Sequence, residues 1–179
     1  MTVTASTPDP FALFGLAPRF DVETAALEAR FRERSRELHP DRLGPGASAA
    51  ERAQAMIRTR ALNDAYQVLR RPERRAEHLL ARAGLAIGDH ERLDPGFLGE
   101  ILELREELAG VRADGRTDEV ARLEGVMRAR RDAHLAALGP LFASADTDAH
   151  ALAAIKQHLV TLRYVGRYLE ECDAALGDE

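Results

Sequence analysis

Residues 31–42 have the sequence FRERSRELHPDR, and this stretch decides how the first half of the chain folds. It begins as a charged helical pattern and then passes through the tripeptide His39-Pro40-Asp41. Proline lacks a backbone donor and disfavours a helical residue before it, so the helix is expected to end just ahead of it. Further glycine and proline residues follow, and they are typical of loops. The sequence therefore predicts an exposed loop over 39–47, with the His39 and Asp41 side chains at its tip.

Helical patterns flank this loop on both sides. Asp21 is the expected cap of the helix before it, and Ser48 with Glu51 forms a capping box for the helix after it. The second helix contains apolar residues that we expect to form one buried stripe: Met56, Ile57, Leu62, Tyr66 and Leu69. The sequence therefore predicts a helical hairpin around the loop.

Shorter helices are expected at the two ends of this hairpin. Aspartate followed by proline at residues 9–10 is typical of a helix start, and this helix should end at Gly15. Pro72 ends the long second helix and starts another, which should end near Gly84. A linker is expected over residues 85–94.

The second half of the chain contains three long helical patterns, approximately 95–113, 118–138 and 147–176. Glycine-containing pairs at residues 114–115 and 139–140 are the expected breaks between them. The first and last patterns place apolar residues three and four apart: Phe97, Ile101, Leu104, Leu108 and Val111, then Leu152, Ile155, Leu159, Leu162, Gly166 and Leu169. Such seams, with short connections, predict an antiparallel three-helix bundle over 95–179 and an all-α protein.

Composition excludes several classes of protein. Of 179 residues only one is cysteine, Cys172, which rules out an intrachain disulfide framework and a cysteine-based zinc site. No apolar run is long enough to span a bilayer, and residues 1–8 lack the cationic start and apolar core of a signal peptide. We therefore expect a cytoplasmic protein that does not enter a membrane.

Charge is divided between the two halves of the chain. Residues 1–84 contain 14 arginines and 11 acidic residues, a net charge of +3, whereas residues 85–179 contain 11 basic and 19 acidic residues, a net charge of −8. Opposite charges suggest two different partners. The acidic total and the lack of an interleaved aromatic platform argue against a nucleic-acid partner.

The features of the first half resemble the J-domain family over most of residues 9–80. The resemblance lies in FALFGL at 11–16, the arginine-rich helix, the tripeptide at 39–41, and LNDAYQVLRRP at 62–72, in that order. It implies docking on the ATPase of a heat-shock-type chaperone, HscA-like or DnaK-like, with stimulation of ATP hydrolysis.

The same resemblance implies which residues contact the chaperone. Asp41 would be the essential contact, with His39 and Pro40 beside it in the docked loop. The helix before the loop supplies a positive field suited to an acidic partner surface, and Arg30 and Arg34 are its candidate contacts.

These residues also have simpler interpretations. An arginine-rich helix is most often a solvated face. His39 and Asp41 as metal ligands lack a third ligand at a suitable spacing, and as an acid–base pair they lack a nucleophile or pocket signature. We therefore expect neither a metal nor a cofactor, and no enzymatic activity.

The second half resembles the HscB family of iron–sulfur co-chaperones. The run FLGEILELREEL at residues 97–108 looks like the corresponding helix of that family, and RAEHLL at residues 75–80 looks like its fourth helix. In that family this face binds IscU, the scaffold on which clusters are assembled. Carried over by position, the implied contacts with an IscU-like scaffold are Leu98, Leu102, Glu103, Glu106 and Tyr164.

Two residues depart from the family pattern on this helix. Gly99 stands in place of a bulky apolar residue, and Gly110 stands in place of an acidic one. From the pattern alone, Leu98 and Leu102 also fit a broad buried stripe, since three or four apolar positions per two turns are normal for a core-facing helix.

Together the two resemblances imply an adaptor that brings a scaffold to its chaperone for cluster transfer. The alternative is a J-domain co-chaperone of a DnaK-like chaperone with an unrelated client. A helical nucleic-acid-binding protein is a third possibility, which only the arginine-rich helix favours.

Overall fold

The structure is a computed structural model, and it describes residues 8–44, 46–88, 91–146, 148 and 150–177. Within these ranges the regular secondary structure is entirely helical, which confirms the predicted all-α class. Residues 1–7, Pro45 and Thr147, on which some of the sequence predictions fall, lie outside the described residues. The chain divides into two compact units, with the boundary between Leu79 and Leu80. Each unit is described by itself below.

The first unit contains the predicted helical hairpin. Its elements are α1 (Pro10–Leu13), α2 (Thr24–Leu38), a 3-10 turn (Pro40–Arg42), α3 (Ala49–Arg70) and the start of α4 (Pro72–Arg82). The Asp9 carboxylate accepts the Phe11 amide at 2.8 Å, and Ser48 and Glu51 form the expected capping box. These caps satisfy amides that the first helical turn leaves without a partner.

The predicted cap of α2 is wrong. The helix begins at Thr24 with Glu23 in the cap position, and the Glu23 side chain makes no capping hydrogen bond. Because a capping side chain reaches amides only two or three residues ahead, Asp21 lies too early in the chain to serve.

An aromatic and aliphatic core holds the hairpin together. Its buried members are Phe11, Phe14, Leu27, Leu62, Ala65, Tyr66 and Leu69. The Phe31 ring stacks on the Tyr66 ring with 4.1 Å between centroids, and the Thr59 hydroxyl donates to the Leu38 carbonyl at 3.1 Å. The bond pairs the end of α2 with the middle of α3, and the stacked rings pair the middle of α2 with the last turns of α3. The two helices therefore run antiparallel, and the loop lies at one end of the hairpin.

The prediction that Met56 and Ile57 are buried is wrong, since their exposed fractions are 64% and 62%. They precede the buried Leu62 by six and five residues, whereas neighbours on one helical face are three, four or seven apart. Leu62, Tyr66 and Leu69 keep that spacing, and of these Leu62 and Leu69 are almost fully enclosed. Met56 and Ile57 therefore face away from the core.

The second unit contains the antiparallel three-helix bundle. It is formed by α5 (Pro95–Ala113), α6 (Thr117–Ser144) and α7 (Ala151–Gly177). Asp94 caps α5 by accepting the Phe97 amide at 2.9 Å, and Gly115 turns the chain after α5 with φ of +69°. Positive φ is easy only for glycine, so this residue permits the sharp reversal into α6.

The predicted break at Gly139-Pro140 is wrong, because α6 continues through Pro140 to Ser144. Proline inside a helix forfeits one backbone hydrogen bond and crowds the preceding turn. Here α6 packs extensively along α7, with Leu138 fully buried beside the proline. Burial of a leucine contributes about 1.5–3 kcal/mol, which helps to offset the cost of roughly 3 kcal/mol for an interior proline.

Most of the predicted seam residues lie in the bundle core, and Leu104, Leu152, Gly166 and Leu169 are only partly buried. Phe97, Ile101, Leu108 and Val111 of α5 are buried, as are Ile155, Leu159 and Leu162 of α7. Residues that were not predicted to be buried complete the core, among them Met127, Val165, Tyr168 and Cys172. No helix among the described residues is long and apolar enough to cross a membrane.

Candidate functional site

The first candidate surface is the loop that follows α2. His39 ends the helix, and Asp41 lies in the 3-10 turn, with its amide 3.3 Å and its carboxylate 3.4 Å from Nδ1 of His39. The Arg42 amide donates to the His39 carbonyl at 3.0 Å and closes the turn. The Asp41 side chain is 88% exposed. The turn therefore presents a carboxylate to solvent from a hydrogen-bonded backbone, while the side chain of Pro40 lies outside the described residues.

The two arginines predicted to accompany this loop differ in their contacts. Arg30 donates to the carbonyls of Phe14 and Gly15 at 2.7 and 2.8 Å, and so connects α2 to the end of α1. Within the described ranges Arg34 makes one ion pair, with Glu37 at 3.6 Å, and both side chains are half exposed. Arg34 also lies nearer the loop, five residues from His39, which is about 7.5 Å along a helix. Arg30 thus has a structural task, and Arg34 is the more available cation.

The second candidate surface lies on α5. Leu98 and Leu102 are 43% and 52% exposed, although Phe97 and Ile101, one residue before each, are buried. The structure therefore separates two apolar stripes on one helix. The inner stripe packs in the bundle and the outer one faces solvent, so Leu98 and Leu102 are not part of a broad buried stripe.

The carboxylates of α5 fall into two groups. Glu100 binds Arg130 at 2.7 Å and Glu107 binds Arg122 at 2.6 Å, so both connect α5 to α6. The Arg130 guanidinium, by its hydrogen bonds, holds the pKa of Glu100 below its ordinary value. Glu103 and Glu106 form no ion pair with any residue that the structure describes. The two carboxylates beside Leu98 and Leu102 are therefore available to a partner.

Tyr164, the fifth predicted scaffold contact, is placed differently. It is half-buried and packs against the core of the bundle, with the Arg167 guanidinium 5.7 Å from its ring centroid. Its ring is therefore only partly available for contact with another protein.

A tyrosine that the sequence analysis missed supports the second surface. Tyr168 is fully buried, and its hydroxyl donates to the Leu104 carbonyl at 3.2 Å. Burial raises the pKa of Tyr168 to about 12, so the hydroxyl keeps its proton and remains a donor. The bond attaches α7 to the turn of α5 that follows Leu102. The spacing Leu162, Val165, Tyr168 and Cys172 is a signal in the sequence that would have identified it.

Two further observations concern metal binding. Among the residues that the structure describes, no three His, Cys, Asp or Glu side chains are grouped so that they could hold a metal ion. His134 of α6 and His158 of α7 do meet, with their Nδ1 atoms 2.8 Å apart. That separation fits a hydrogen bond in which one ring donates and the other accepts.

Comparisons with known proteins agree with both halves of this description. Residues 93–173 match the family described as "HSCB C-terminal oligomerisation domain". The co-chaperone HscB homologues of two Vibrio vulnificus strains are 46% identical to the chain over 100 residues, which is 55% of this chain and 58% of theirs. The aligned region thus spans less than two thirds of those relatives.

Solved structures give fuller coverage. The structure of chaperone HscB from Vibrio cholerae superposes with a TM-score of 0.79 at 30% identity, covering 93% of this chain and 96% of that one. The crystal structure of human co-chaperone protein HscB superposes with a TM-score of 0.81 at 26% identity, covering 97% of this chain and 85% of the human one.

Proposed function

Because the chain belongs to the HscB family of co-chaperones, we propose that it delivers an IscU-like iron–sulfur scaffold to an HscA-like chaperone and stimulates that chaperone's ATPase. The observation that carries the proposal is the outer face of α5. There Leu98 and Leu102 are exposed beside Glu103 and Glu106, which form no ion pair with the described part of the chain. We define these four residues as the α5 patch. An exposed apolar pair bordered by available charge is typical of a partner site.

In this proposal residues 9–84 serve as the chaperone-docking domain. The Asp41 carboxylate accepts hydrogen bonds from cationic groups of the chaperone, with His39 and Pro40 in the same contact. Because the 3-10 turn is closed by a backbone hydrogen bond, we expect little backbone entropy to be lost on binding. Arg34 adds attraction towards an acidic chaperone surface.

Residues 95–179, joined by the linker at 85–94, serve as the scaffold-binding domain. Leu98 and Leu102 lose water on contact with an apolar surface of the scaffold, and Glu103 and Glu106 pair with basic groups around it. Tyr164 contributes the exposed part of its ring. The cluster is cargo of the scaffold, so the chain needs no metal of its own.

Carrying both sites on one chain explains how the adaptor works. When scaffold and chaperone bind the same copy, their encounter becomes intramolecular, with an effective concentration in the millimolar range for a short connection. The scaffold is thereby present when ATP is hydrolysed. The chain itself catalyses no reaction and acts in the cytoplasm.

The chaperone contact is tested by single-turnover ATP hydrolysis with purified HscA-like chaperone. Asp41→Asn should abolish stimulation, because the amide keeps the shape of the side chain but removes its charge. Asp64→Asn is the matched control, since Asp64 is an exposed carboxylate on α3 of the same unit. Stimulation by Asp41→Asn equal to that of the Asp64 variant would sink the docking proposal.

The scaffold contact is tested by calorimetry with the IscU-like scaffold. Leu102→Ala should weaken binding about tenfold, because truncation of an anchor side chain at a small interface costs on the order of 1–2 kcal/mol. Val126→Ala is the matched control, since Val126 is equally exposed on α6 outside the α5 patch. If the chain stimulates the chaperone but binds no scaffold, it is instead a J-domain co-chaperone with another client.

A further inference from the structure

A pair of histidines that has no part in the proposed function joins two helices of the bundle. His134 of α6 and His158 of α7 are 24 residues apart in the sequence, and both side chains are half-buried. Their rings meet edge to face, with 5.0 Å between the centroids and an interplanar angle of 68°. The two Nδ1 atoms are 2.8 Å apart, so each faces the other across the contact between the helices.

Both imidazoles are in the protonation state that metal binding requires. Burial holds the pKa of each ring below the ordinary 6.5, so both rings are neutral at pH 7. A neutral imidazole ligates a metal through its unprotonated nitrogen. In the hydrogen-bonded pair one Nδ1 carries the shared proton. When that ring carries its proton on Nε2 instead, both Nδ1 lone pairs are available, and the pair has neither gained nor lost a proton.

The spacing of the two rings suits a single metal ion between them. An imidazole nitrogen lies about 2.0–2.1 Å from Zn²⁺, so two such nitrogens on one ion are about 2.9–3.4 Å apart when the angle at the metal is about 90–110°. The observed 2.8 Å is only slightly shorter. An ion in this position lies about 3.2 Å from each ring centroid, and centroids 5.0 Å apart then give an angle of about 100° at the metal. The rings therefore need to tilt, but the helices need not move.

We propose that His134 and His158 together bind one divalent transition-metal ion through their Nδ1 atoms. Two neutral imidazoles suit Cu²⁺, Ni²⁺ and Zn²⁺, of which Cu²⁺ binds most tightly. No third His, Cys, Asp or Glu from the described part of the chain joins them, so water occupies the other positions on the ion. The residues three and four positions from either histidine include no carboxylate, which excludes Mg²⁺ and Ca²⁺, because these ions need oxygen ligands.

The charges around the pair and the number of ligands limit the affinity. Arg130 precedes His134 by one helical turn, and its positive charge repels a cation. The Glu100 carboxylate of α5 offsets this charge, because it accepts a hydrogen bond from the Arg130 guanidinium at 2.7 Å. The site has half of the protein ligands of a structural zinc site, so we expect dissociation constants in the micromolar range.

The bound ion ties α6 to α7, the two helices with the most extensive contact in the bundle. Because the two ligands are far apart in the sequence, the ion binds the folded chain in preference to the unfolded one. At a free metal concentration about 100 times the dissociation constant, the ratio of folded to unfolded chain rises about 100-fold. The stability of the bundle thus responds to transition-metal concentration. Neither the Asp41 loop nor the α5 patch takes part, so the proposed function is not a premise of this inference.

Isothermal titration of the untagged full chain with Zn²⁺ tests the site, after bound metal has been removed with a chelator. One ion should bind per chain, and Mg²⁺ should not bind. His134→Gln and His158→Gln should each weaken Zn²⁺ binding by more than about tenfold. His150→Gln is the matched control and should leave binding unchanged, since His150 is exposed in the turn before α7.

Nitrogen-15 NMR of histidine-labelled protein separates ligation from a general effect on stability. The Nδ1 resonances of His134 and His158 should shift together as Zn²⁺ is added, and those of the other histidines should not. In the folded His134→Gln variant the shift of His158 should be lost. The urea midpoint of the unmodified chain should also rise with Zn²⁺, whereas the midpoints of the two variants should not.

Two results overturn the proposal. If Zn²⁺ binds the unmodified chain and both variants equally tightly, other residues hold the ion. If the Nδ1 resonances of His134 and His158 do not respond to Zn²⁺ at millimolar concentration, the pair is a hydrogen bond between the two helices and nothing more.

Discussion

Replacing Arg30 with alanine should open the junction of α1 and α2. Its guanidinium donates to two carbonyls, those of Phe14 and Gly15, at 2.7 and 2.8 Å. Both follow α1, whose C-terminal end carries partial negative charge, so a cation is favoured there. The Phe14 side chain beside this junction is almost completely buried. Loss of the guanidinium therefore leaves two carbonyls to water and loosens a part of the hairpin core.

The magnitude follows from these two bonds. A hydrogen bond from a charged donor contributes about 1.5–3 kcal/mol when it is shielded from solvent. Here the bond to Phe14 is partly buried and the bond to Gly15 is exposed, so solvent screening lowers both contributions. We expect Arg30→Ala to reduce the local free energy of opening by about 1–2 kcal/mol. Exchange of the protected amides should then be about 5–30 times faster.

Amide hydrogen exchange, read by mass spectrometry on peptides covering α1 and α2, measures this opening in the full chain. Arg34→Ala is the control, because its exposed ion pair with Glu37 contributes at most about 0.5 kcal/mol. If the two variants exchange equally fast over α1, Arg30 does not anchor this junction and the reasoning is refuted. In the chaperone ATPase assay the order of the two variants should reverse. Arg34→Ala should lose more of its stimulation of the chaperone than its small loss of stability explains.

Three further predictions concern the bundle. Gly99→Ala should raise the free energy of unfolding by about 0.5–1 kcal/mol, because a Cβ at Gly99 meets nothing within 4 Å and alanine favours the helix. The urea midpoint should therefore rise, and an unchanged or lower midpoint contradicts this. Tyr168→Phe should cost about 1 kcal/mol through loss of the bond to the Leu104 carbonyl, and an unchanged midpoint would show that this bond contributes nothing. Burial holds the pKa of His134 and of His158 below the ordinary 6.5. The charges of His158 and Arg130 lower the pKa of His134 further. The unfolded chain therefore binds more protons than the folded one, so their stabilisation is complete above about pH 6.5 and is lost as the pH falls below it. His134→Gln should flatten this dependence in urea titrations at pH 5 to 7, and an unaltered slope would contradict the assignment.

The elements that the sequence predicted best are those whose signals are local. The capping box at Ser48 and Glu51, the Asp94 cap and the seam from Phe97 to Val111 all depend on residues within a few turns of one another. Each is present as expected. The helical hairpin and the three-helix bundle followed from the order of such signals along the chain, whereas the J-domain was implied by the family resemblance.

The errors arose where distant contacts or angular position decide the outcome. The continuation of α6 through Pro140 depends on packing against α7, which no local pattern reveals. The exposure of Met56 and Ile57 can be predicted from the sequence, because their six- and five-residue intervals to Leu62 do not return to one helical face. The anchoring task of Arg30 could not be predicted, since its carbonyl partners lie 15 and 16 residues away.

The candidate site was predictable in part. The sequence led to Leu98 and Leu102, but only the structure distinguishes their exposed stripe from the buried one beside it. The structure also shows that Glu100 and Glu107 are bound in ion pairs with α6, whereas Glu103 and Glu106 form none among the described residues. The sequence does not reveal this difference, because ion pairs across the bundle depend on how α5 and α6 are aligned.

We propose that one copy of the chain holds chaperone and scaffold together. Mixing two variants, Asp41→Asn and the double variant Leu98→Ala with Leu102→Ala, in one chaperone ATPase assay with scaffold present tests this directly. Each variant retains one intact site, so the mixture contains both sites but never on the same copy. The scaffold-dependent part of the stimulation should stay lost in the mixture. Its recovery to the level of the unmodified chain would show that the two sites need not lie on one copy.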